Sequence, residues 1–352
     1  MINLRSCTVA GVAFAVSLLT LTVLGAEEVK SKTLTKEVTV YDYVRADTDR
    51  QFKDYSKMGA FGKFFHSKEP YNIDKQVTIR ANRDTLYSFA VFDLDAGPLT
   101  VTLPETNGRY MSMHVVNEDH YMKPVIYAPG TFTFTKEDIR TRYLFLNIRT
   151  FADPGSKEDL AKAQALQEKV VVKQENPGKL ELPNWDVDQI TKLRNAINVL
   201  SATVKDSSKL FGWYDEIDPI NHCLGAAIGW GGLPYKAALY LNVVPEKNDG
   251  KTAYVLHVPK EVPVDGFWSI SVYNKEGFFE KNKYNAYTLN NVTAKKNKDG
   301  SVTIHFGGDP KADNFLPITD GWNYIVRLYR PRPELLEGKW KFPEPEVAKG
   351  QP

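Results

Sequence analysis

Cysteine is nearly absent from this 352-residue chain, where it occurs only at Cys7 and Cys223. Cys7 falls inside the N-terminal leader predicted below, so a processed chain would keep Cys223 alone and could form no intramolecular disulfide bond. Stability must then come from buried apolar side chains and from hydrogen bonds within sheets. With 18 Tyr, 18 Phe and 6 Trp, the chain has enough apolar bulk for large cores.

An excess of either charge is also missing, since 45 Lys and Arg face 43 Asp and Glu. There is no long basic run and no basic patch with interleaved aromatic residues, so we predict no nucleic-acid partner. The GxSxG, HExxH, CxxC and EF-hand motifs are all absent, which weighs against the common hydrolase and metalloprotease classes. We predict no organic cofactor and assign no metal site.

The N-terminus is the one place with an uncharged stretch long enough to span a bilayer, and this stretch runs over residues 6–26. Arg5 precedes this stretch, Glu27 follows it, and the small residues Gly25 and Ala26 offer a cleavage site. This pattern predicts a signal peptide over residues 1–26 and a periplasmic or secreted protein without membrane contact after cleavage. The alternative is a retained membrane anchor, because the stretch is just long enough to span a bilayer.

The rest of the chain predicts a mainly β protein of the α+β type. Short alternating segments separated by Gly, Pro and Asn indicate antiparallel β domains of the sandwich or jelly-roll kind. We predict an N-terminal β-rich domain with a leading helix over 27–155, a helical connector with a Gly-rich segment over 156–235, and a C-terminal β domain with a Pro-rich tail over 236–352. A helical insertion thus separates two β domains.

Capping patterns predict where the helices begin. Each pattern pairs a Ser, Thr or Asp with an acidic or amide residue three positions later, followed by apolar residues at helical spacing. The pairs are Thr48 with Gln51, for a helix to about Gly59, then Ser156 with Asp159, and Asp186 with Gln189.

The two β regions resemble each other. Residues 104–112 lead to Asn117, residues 263–269 lead to Asn274, and each region later has a strand that contains an arginine, Arg149 or Arg327. This favours an internal duplication. The alternative is two unrelated antiparallel sheets that use the same turn chemistry.

Several longer runs carry a family resemblance. They are residues 82–88, 111–121, 265–274, 285–291, 299–308 and 322–331. In these runs the chain resembles exported bacterial proteins that join domain of unknown function 1254 to a C-terminal domain of unknown function 1214. The resemblance implies a two-part β-rich architecture and a periplasmic or secreted location, and it supplies no catalytic residues.

The strand after Gly108 provides the first candidate site. Alternation places Met111, Met113 and Val115 on one face, as a core would require. His114, Glu118 and His120 fall on the other face if the strand stays regular. Imidazole and carboxylate groups suit acid–base chemistry or a borderline metal, so His120, Glu118 and Asp84 are the candidate catalytic residues. The alternative is an exposed sheet face with a turn at residues 117–120.

The second candidate site is the polar segment between two apolar stretches at residues 80–87. An arginine there could grip an anionic group that Asp84 orients, whereas the alternative is an Arg–Asp pair that serves only the turn. The candidate ligand-binding residues are Arg80, Asn82, Arg83, Tyr87, Trp268 and Tyr273. We expect the two candidate sites to meet in one pocket, closed by the C-terminal aromatic residues.

The segment 215–232 is Gly-rich but has neither phosphate-loop nor dinucleotide spacing. We interpret its glycines as letting the backbone pass close to the sheet, and Cys223 as an inert thiol.

Three functions remain open at this point. The first is binding of a small polar or carbohydrate-like ligand, such as a glycan, in an inter-domain or rim cleft. The second is a hydrolase that uses an Asp/Glu/His/Arg site without an organic cofactor. The third is a scaffold that assembles into homo-oligomers. The sequence leaves open whether the protein is an enzyme.

Overall fold

The computed structural model describes residues 35–76, 78–204 and 206–349, so the predicted signal peptide lies outside the described residues. Within those ranges the chain is mostly antiparallel β-sheet, which confirms the predicted mainly β class. The helices are α1 (Tyr43–Lys57), α2 (Lys136–Ile139), α3 (Lys157–Glu168), α4 (Val187–Ser201), α5 (Pro219–Gly229) and α6 (Pro333–Leu336). None of the helices in these ranges has the length and apolar character that a bilayer crossing requires.

The N-terminal half contains a five-stranded sheet and a three-stranded sheet. Its strands are β1 (Phe65–His66), β2 (Thr85–Asp93), β3 (Leu99–Leu103), β4 (Met111–Asn117), β5 (Ile126–Tyr127), β6 (Gly130–Phe134), β7 (Tyr143–Phe151) and β8 (Val171–Lys173). The orders are β1-β2-β7-β4-β5 and β6-β3-β8. Met111, Met113 and Val115 are buried in the core of this half, which confirms the predicted inner face of β4.

The C-terminal half contains two four-stranded sheets. Its strands are β9 (Ala238–Val243), β10 (Tyr254–Val258), β11 (Trp268–Tyr273), β12 (Thr288–Asn290), β13 (Val302–Phe306), β14 (Phe315–Leu316), β15 (Asn323–Tyr329) and β16 (Glu346–Val347). The orders are β12-β11-β15-β9 and β14-β13-β10-β16. Trp268 and Trp322 are both buried in the core of this half.

The strand order is the same in both halves once the two-residue strands β1 and β14 are left out. The larger sheets then contain β2-β7-β4-β5 and β9-β15-β11-β12, which are the same positions when the remaining strands are counted from β2 and from β9. β3 pairs with β6, as β10 pairs with β13. The jelly-roll description, the internal duplication and the three-part domain division stay predictions, and the matching strand order is consistent with the duplication.

Two of the three predicted helix starts are confirmed. Ser156 accepts a hydrogen bond from the Asp159 backbone N–H ahead of α3, and Asp186 caps α4 in the same way. The predicted start at Thr48 was wrong, because α1 begins more than one turn earlier. The Thr48 hydroxyl donates instead to the Val44 carbonyl oxygen at 2.8 Å, within the helix.

Helix α5 corrects the interpretation that the glycines of residues 215–232 let the backbone pass close to the sheet, since at Gly225 the close approach is made by a helix to a segment outside the strands. Asp218 caps it and Pro219 occupies its first turn, which are ordinary start signals. Gly225 lies so close to the preceding segment that an added Cβ would sit 2.2 Å from the Leu210 carbonyl oxygen. The glycine therefore permits a close helix–backbone contact.

Candidate functional site

A polar row crosses the larger N-terminal sheet on the face turned away from its core. Tyr87 pairs with Arg149, and Arg149 pairs with Ser112, on adjacent strands β2, β7 and β4. Asn147 and His114 form part of the next row. Because side chains alternate along a strand, the same alternation that buries Met111 and Met113 in the core turns this row to the other face.

The larger C-terminal sheet presents a matching row. Arg327 on β15 pairs with Ser269 on β11 and with Tyr240 on β9. The polar faces of the two sheets meet, since the Asn82 amide lies 3.1 Å from the Tyr329 hydroxyl across the boundary. The site is thus assembled from both halves of the chain.

Five tyrosines interact electrostatically with Arg149 where the faces meet. We call this feature the tyrosine crevice; its residues are Tyr87, Tyr110, Tyr127, Tyr240 and Tyr329. Tyr329 is fully buried, whereas the other four are only half-buried. Solvent therefore reaches several rings of a cluster that is enclosed by two sheets.

Arg149 has few contacts of its own. Its guanidinium carbon lies 5.5 Å from the centre of the Tyr87 ring. In the described part of the chain, no hydrogen bond or ion pair engages its side chain, and its buried Nη1 is unsatisfied. Both ring nitrogens of fully buried His114 also lack partners. Although burial opposes its charge, the surrounding tyrosine oxygens raise the pKa of Arg149, so the guanidinium stays protonated.

The same guanidinium acts on Tyr87. Burial alone would raise the pKa of Tyr87, but Arg149 and hydrogen bonds from Thr85 and Asn82 favour the phenolate and leave the pKa lowered. The Tyr87 hydroxyl lies 3.2 Å from the Asn82 amide nitrogen. The crevice therefore contains a phenol that loses its proton more readily than an ordinary tyrosine.

Arg327, in contrast, has a complete set of partners. It donates to the Ser271 hydroxyl at 2.9 Å, to the Arg80 carbonyl oxygen at 2.7 Å and to the Tyr273 hydroxyl at 2.8 Å. Arg327 is buried, and its positive charge is used inside the protein.

A hydroxyl relay connects Arg327 to Asp84. Ser271 donates to Thr288 at 3.1 Å, and Thr288 donates to an Asp84 carboxylate oxygen at 3.1 Å. The Asn290 amide also donates to Asp84, at 3.0 Å. Burial is the main cause of the raised pKa of Asp84, which these hydrogen bonds and Arg327 only partly offset. Asp84 therefore joins the two halves through buried polar contacts.

Of the predicted ligand-binding residues, Tyr87 belongs to the tyrosine crevice and Asn82 contacts two of its members. Three others hold the 80–84 loop against the C-terminal half. The Arg80 carbonyl binds Arg327, and Arg83 lies over the Tyr287 ring at 5.3 Å. The Tyr273 hydroxyl donates to the Ala81 carbonyl oxygen at 2.6 Å.

Trp268 lies elsewhere. It is on the other face of β11, in the C-terminal core, with its ring 6.0 Å from that of Phe342. The tyrosine crevice therefore does not include this predicted ligand-binding residue.

Glu118 is the first residue of the turn that follows β4. Asn117 accepts hydrogen bonds from the Asp119 and Tyr121 backbone N–H groups, so the strand does not stay regular beyond Asn117. Glu118 turns towards α1, where Arg45 lies 3.6 Å away. Burial raises the pKa of Glu118. Burial also raises the pKa of nearby Asp49, to about 7.

His120 turns in another direction. Its Nε2 accepts a hydrogen bond from the Gly231 backbone N–H at 2.9 Å, and burial holds its pKa well below the usual range. Among the described residues, no hydrogen bond or ion pair joins His120, Glu118 and Asp84 to one another, and no group of three His, Cys, Asp or Glu could hold a metal ion. The catalytic role of these three residues stays a prediction.

A cavity of about 560 Å³ adjoins the outer side of the tyrosine crevice. Tyr110, Phe151 and Phe267 form its apolar wall, and Arg109 and Asp159 form an ion pair in its lining. Phe267 also stacks on Tyr329, with ring centres 4.3 Å apart. One aromatic wall is therefore shared by the cavity and the crevice.

Sequence reasoning missed the central members of this site. Arg149, Tyr240 and Tyr329 were not singled out as ligand-binding residues, although Arg149 stood out as an arginine in an otherwise apolar strand. That observation, applied to the alternation of β7, could have placed a charge on a buried face.

Comparison with known proteins yields families and folds without an assigned activity. No functionally curated protein matches the sequence. The crystal structure of the VPA0106 protein from Vibrio parahaemolyticus is similar over 88% of this chain and 98% of its own, with 20% identity and a TM-score of 0.69. That likeness concerns the fold alone. An uncharacterised protein from Burkholderia cenocepacia shares 14% identity over 88% of this chain and 87% of its own, with a TM-score of 0.46.

Two family models match separate parts of the sequence. Residues 61–136 match the protein of unknown function DUF1254, and residues 242–333 match the protein of unknown function DUF1214. The chain therefore carries an N-terminal DUF1254 match and a C-terminal DUF1214 match in that order, which confirms the pairing that its sequence motifs indicate.

Proposed function

We propose that the protein binds a small polar or carbohydrate-like ligand in the tyrosine crevice between its two larger sheets. The observation that carries this proposal is the set of half-buried tyrosines around Arg149, whose side chain has no hydrogen-bonding partner in the described part of the chain. Buried polar groups in folded proteins are nearly always satisfied, so unsatisfied ones beside accessible rings favour a ligand site.

The chemistry of the crevice suits such a ligand. A tyrosine offers an apolar ring face for stacking and a hydroxyl for hydrogen bonding, which together match a polar molecule with one flat, less polar side. Arg149 adds donors at a fixed position because it lies on the buried strand β7. The Asn82 amide orients the Tyr87 and Tyr329 hydroxyls by donating to them. The adjoining cavity of about 560 Å³, which shares Tyr110 with the crevice but is not lined by Arg149, falls within the size range of small-ligand pockets.

The hydrolase alternative has less support. It requires Asp84, Glu118 and His120 to reach one substrate, whereas each has separate protein partners. We also propose export to the periplasm or secretion, on the basis of the N-terminal signal pattern alone. The intact mass of protein recovered from the periplasm tests cleavage at Ala26 or Glu27, and a full-length species retained in membranes would contradict it.

Binding of small ligands to the wild-type protein and to Tyr87→Ala tests the proposed function. Isothermal titration with a panel of neutral sugars, sugar acids and small polar acids should yield at least one ligand that Tyr87→Ala binds more weakly. Tyr284→Ala is the matched control, because Tyr284 contacts Phe315 outside the crevice. If the variants at positions 87 and 284 bind every panel member as the wild type does, the crevice is not the site.

A further inference from the structure

The tyrosine crevice contains a buried positive charge that the protein itself leaves unused. Arg327 donates to Ser271, to Tyr273 and to the Arg80 carbonyl oxygen, whereas the Arg149 side chain has no such partner among the described residues. A buried guanidinium without a counter-charge costs folding free energy, so such a group is retained where something else binds it. The difference between the two arginines marks Arg149 as available.

We propose that Arg149 binds the carboxylate of a small monoanionic acid, which is then the ligand of the tyrosine crevice. This inference rests on the proposed function and specifies its ligand class. A guanidinium presents two parallel N–H donors that match the two oxygens of a carboxylate. The ligand would supply the counter-charge that Arg149 lacks.

The charges that face the crevice favour a monoanion over a phosphate dianion. Asp84 is the nearby carboxylate, and its contacts with Thr288 and Asn290 hold it on the Arg327 side. A second guanidinium, that of the partly exposed Arg330, lies 4.5 Å from the centre of the Tyr127 ring. Arg149 is the buried one, and one guanidinium balances one negative charge, whereas phosphate sites usually combine several cationic or backbone N–H groups.

The neighbours of Arg149 are suited to donate hydrogen bonds. His114 has two unsatisfied ring nitrogens, and burial followed by the charge of Arg149 keeps its pKa well below the usual range. A neutral imidazole carries one N–H that can donate to a carboxylate oxygen. The Asn82 amide donates to the Tyr87 and Tyr329 hydroxyls, so the O–H groups of these tyrosines remain as further donors. The rings of Tyr87 and Tyr240 would flank the body of the acid.

The test compares acids with neutral amides of the same shape. The probes are acetate with acetamide, benzoate with benzamide, and glucuronate with glucuronamide, beside inorganic phosphate, at constant ionic strength. Isothermal titration and thermal denaturation are run on the wild type, Arg149→Met, Arg149→Lys and Tyr87→Ala. Arg140→Met is the control, since it removes one positive charge from an exposed position outside the crevice.

We expect at least one acid to bind both the wild type and Arg140→Met. The matching neutral amide and inorganic phosphate should bind both proteins far more weakly. Arg149→Met should lower the affinity for that acid by at least roughly tenfold. Arg149→Lys should retain only part of the wild-type affinity, because lysine lacks the planar guanidinium fork. Whether benzoate or glucuronate binds more tightly distinguishes an aromatic acid from a sugar acid.

Two results would overturn the inference in distinguishable ways. If an amide binds as tightly as its acid, and Tyr87→Ala weakens the binding of both, the crevice is a ligand site but it does not hold its ligand through a negative charge. If no probe distinguishes the wild type from Arg149→Met or Tyr87→Ala, acetate included, the proposed function fails as well. Acetate makes the second result decisive because it is small enough to reach any site that admits a carboxylate.

Discussion

Arg149 and Arg327 occupy matching positions in the two larger sheets, each directly opposite a serine of the neighbouring strand, Ser112 or Ser269. Their surroundings differ. Arg327 is bound by hydroxyl and carbonyl groups and reaches Asp84 through a relay, whereas Arg149 is surrounded by tyrosines. Matching backbone positions thus carry one arginine that joins the halves and one whose charge is free for a ligand.

Arg149→Met and Arg327→Met should change the stability of the protein in opposite directions. Arg149→Met removes an uncompensated buried charge and should raise the free energy of unfolding of the ligand-free protein by roughly 1–3 kcal/mol. Arg327→Met leaves Asp84 and its relay without their cation and should lower it by roughly 3–5 kcal/mol. Urea denaturation of both variants and the wild type measures these differences. Equal destabilisation by the two exchanges would assign Arg149 a structural role.

Local signals in the sequence predicted the fold better than they predicted the site. Ser156 and Asp186 begin helices as their capping patterns indicate, because a cap depends only on the next three residues. The alternation Met111, Met113 and Val115 marked the core face of β4, because alternation is a property of a single strand.

The site depends instead on which strands become neighbours. Tyr87, Arg149 and Ser112 are far apart in the chain and form one row only through the register of β2, β7 and β4. Tyr240 reaches Arg149 from the other half, which no local pattern encodes. Glu118 and His120 were expected on one face, but the turn at Asn117 directs them to different partners.

The stability of the protein should depend on pH through Asp49. Asp49 is buried, accepts a hydrogen bond from the Trp185 indole at 2.7 Å and lies near Glu118. Burial, followed by repulsion from Glu118, raises its pKa from 3.8 to about 7. A carboxyl group with a raised pKa in the folded state stabilises that state while protonated, so this contribution is complete below about pH 4 and is lost as the pH rises through about 7.

Asp49→Asn should remove this dependence, because the amide stays neutral and can still accept from Trp185. Relative to the wild type, the free energy of unfolding of Asp49→Asn should increase by roughly 2–4 kcal/mol between about pH 4 and about pH 8. Asp188→Asn, at an exposed position in the first turn of α4, is the control for the loss of one charge. A constant difference between Asp49→Asn and the wild type across this range would contradict the prediction.

Tyrosinate absorbance should identify Tyr87 as a phenol that titrates early. Arg149, together with hydrogen bonds from Thr85 and Asn82, lowers its pKa against the opposite effect of burial. In a pH titration, the wild type should therefore show one early tyrosinate step that is missing in Tyr87→Phe. Arg149→Met should move this step to higher pH, because the positive charge that favours the phenolate is gone. A titration curve of Tyr87→Phe that superimposes on the wild type would refute this assignment.

Replacing each of the two glycines of α5 by alanine should have different effects on the stability of the protein. In a helix, alanine is intrinsically favoured over glycine by about 1 kcal/mol, so neither exchange should be harmful on propensity alone. At Gly225, however, the new Cβ would lie 2.2 Å from the Leu210 carbonyl oxygen, a distance at which backbone must move. Gly225→Ala should therefore lower the free energy of unfolding by roughly 1–3 kcal/mol.

Gly229→Ala is the matched control, because its Cβ would meet only the edge of the Phe211 ring at 3.9 Å, an ordinary contact. It should leave the unfolding midpoint unchanged or raise it slightly. Thermal denaturation of both variants separates the close approach from helix propensity, since the two glycines share one helix and lie four residues apart. If Gly225→Ala proves as stable as Gly229→Ala, then α5 can shift away from Leu210 without cost. The close contact of this helix with the 210 segment would then not explain why a glycine stands at position 225.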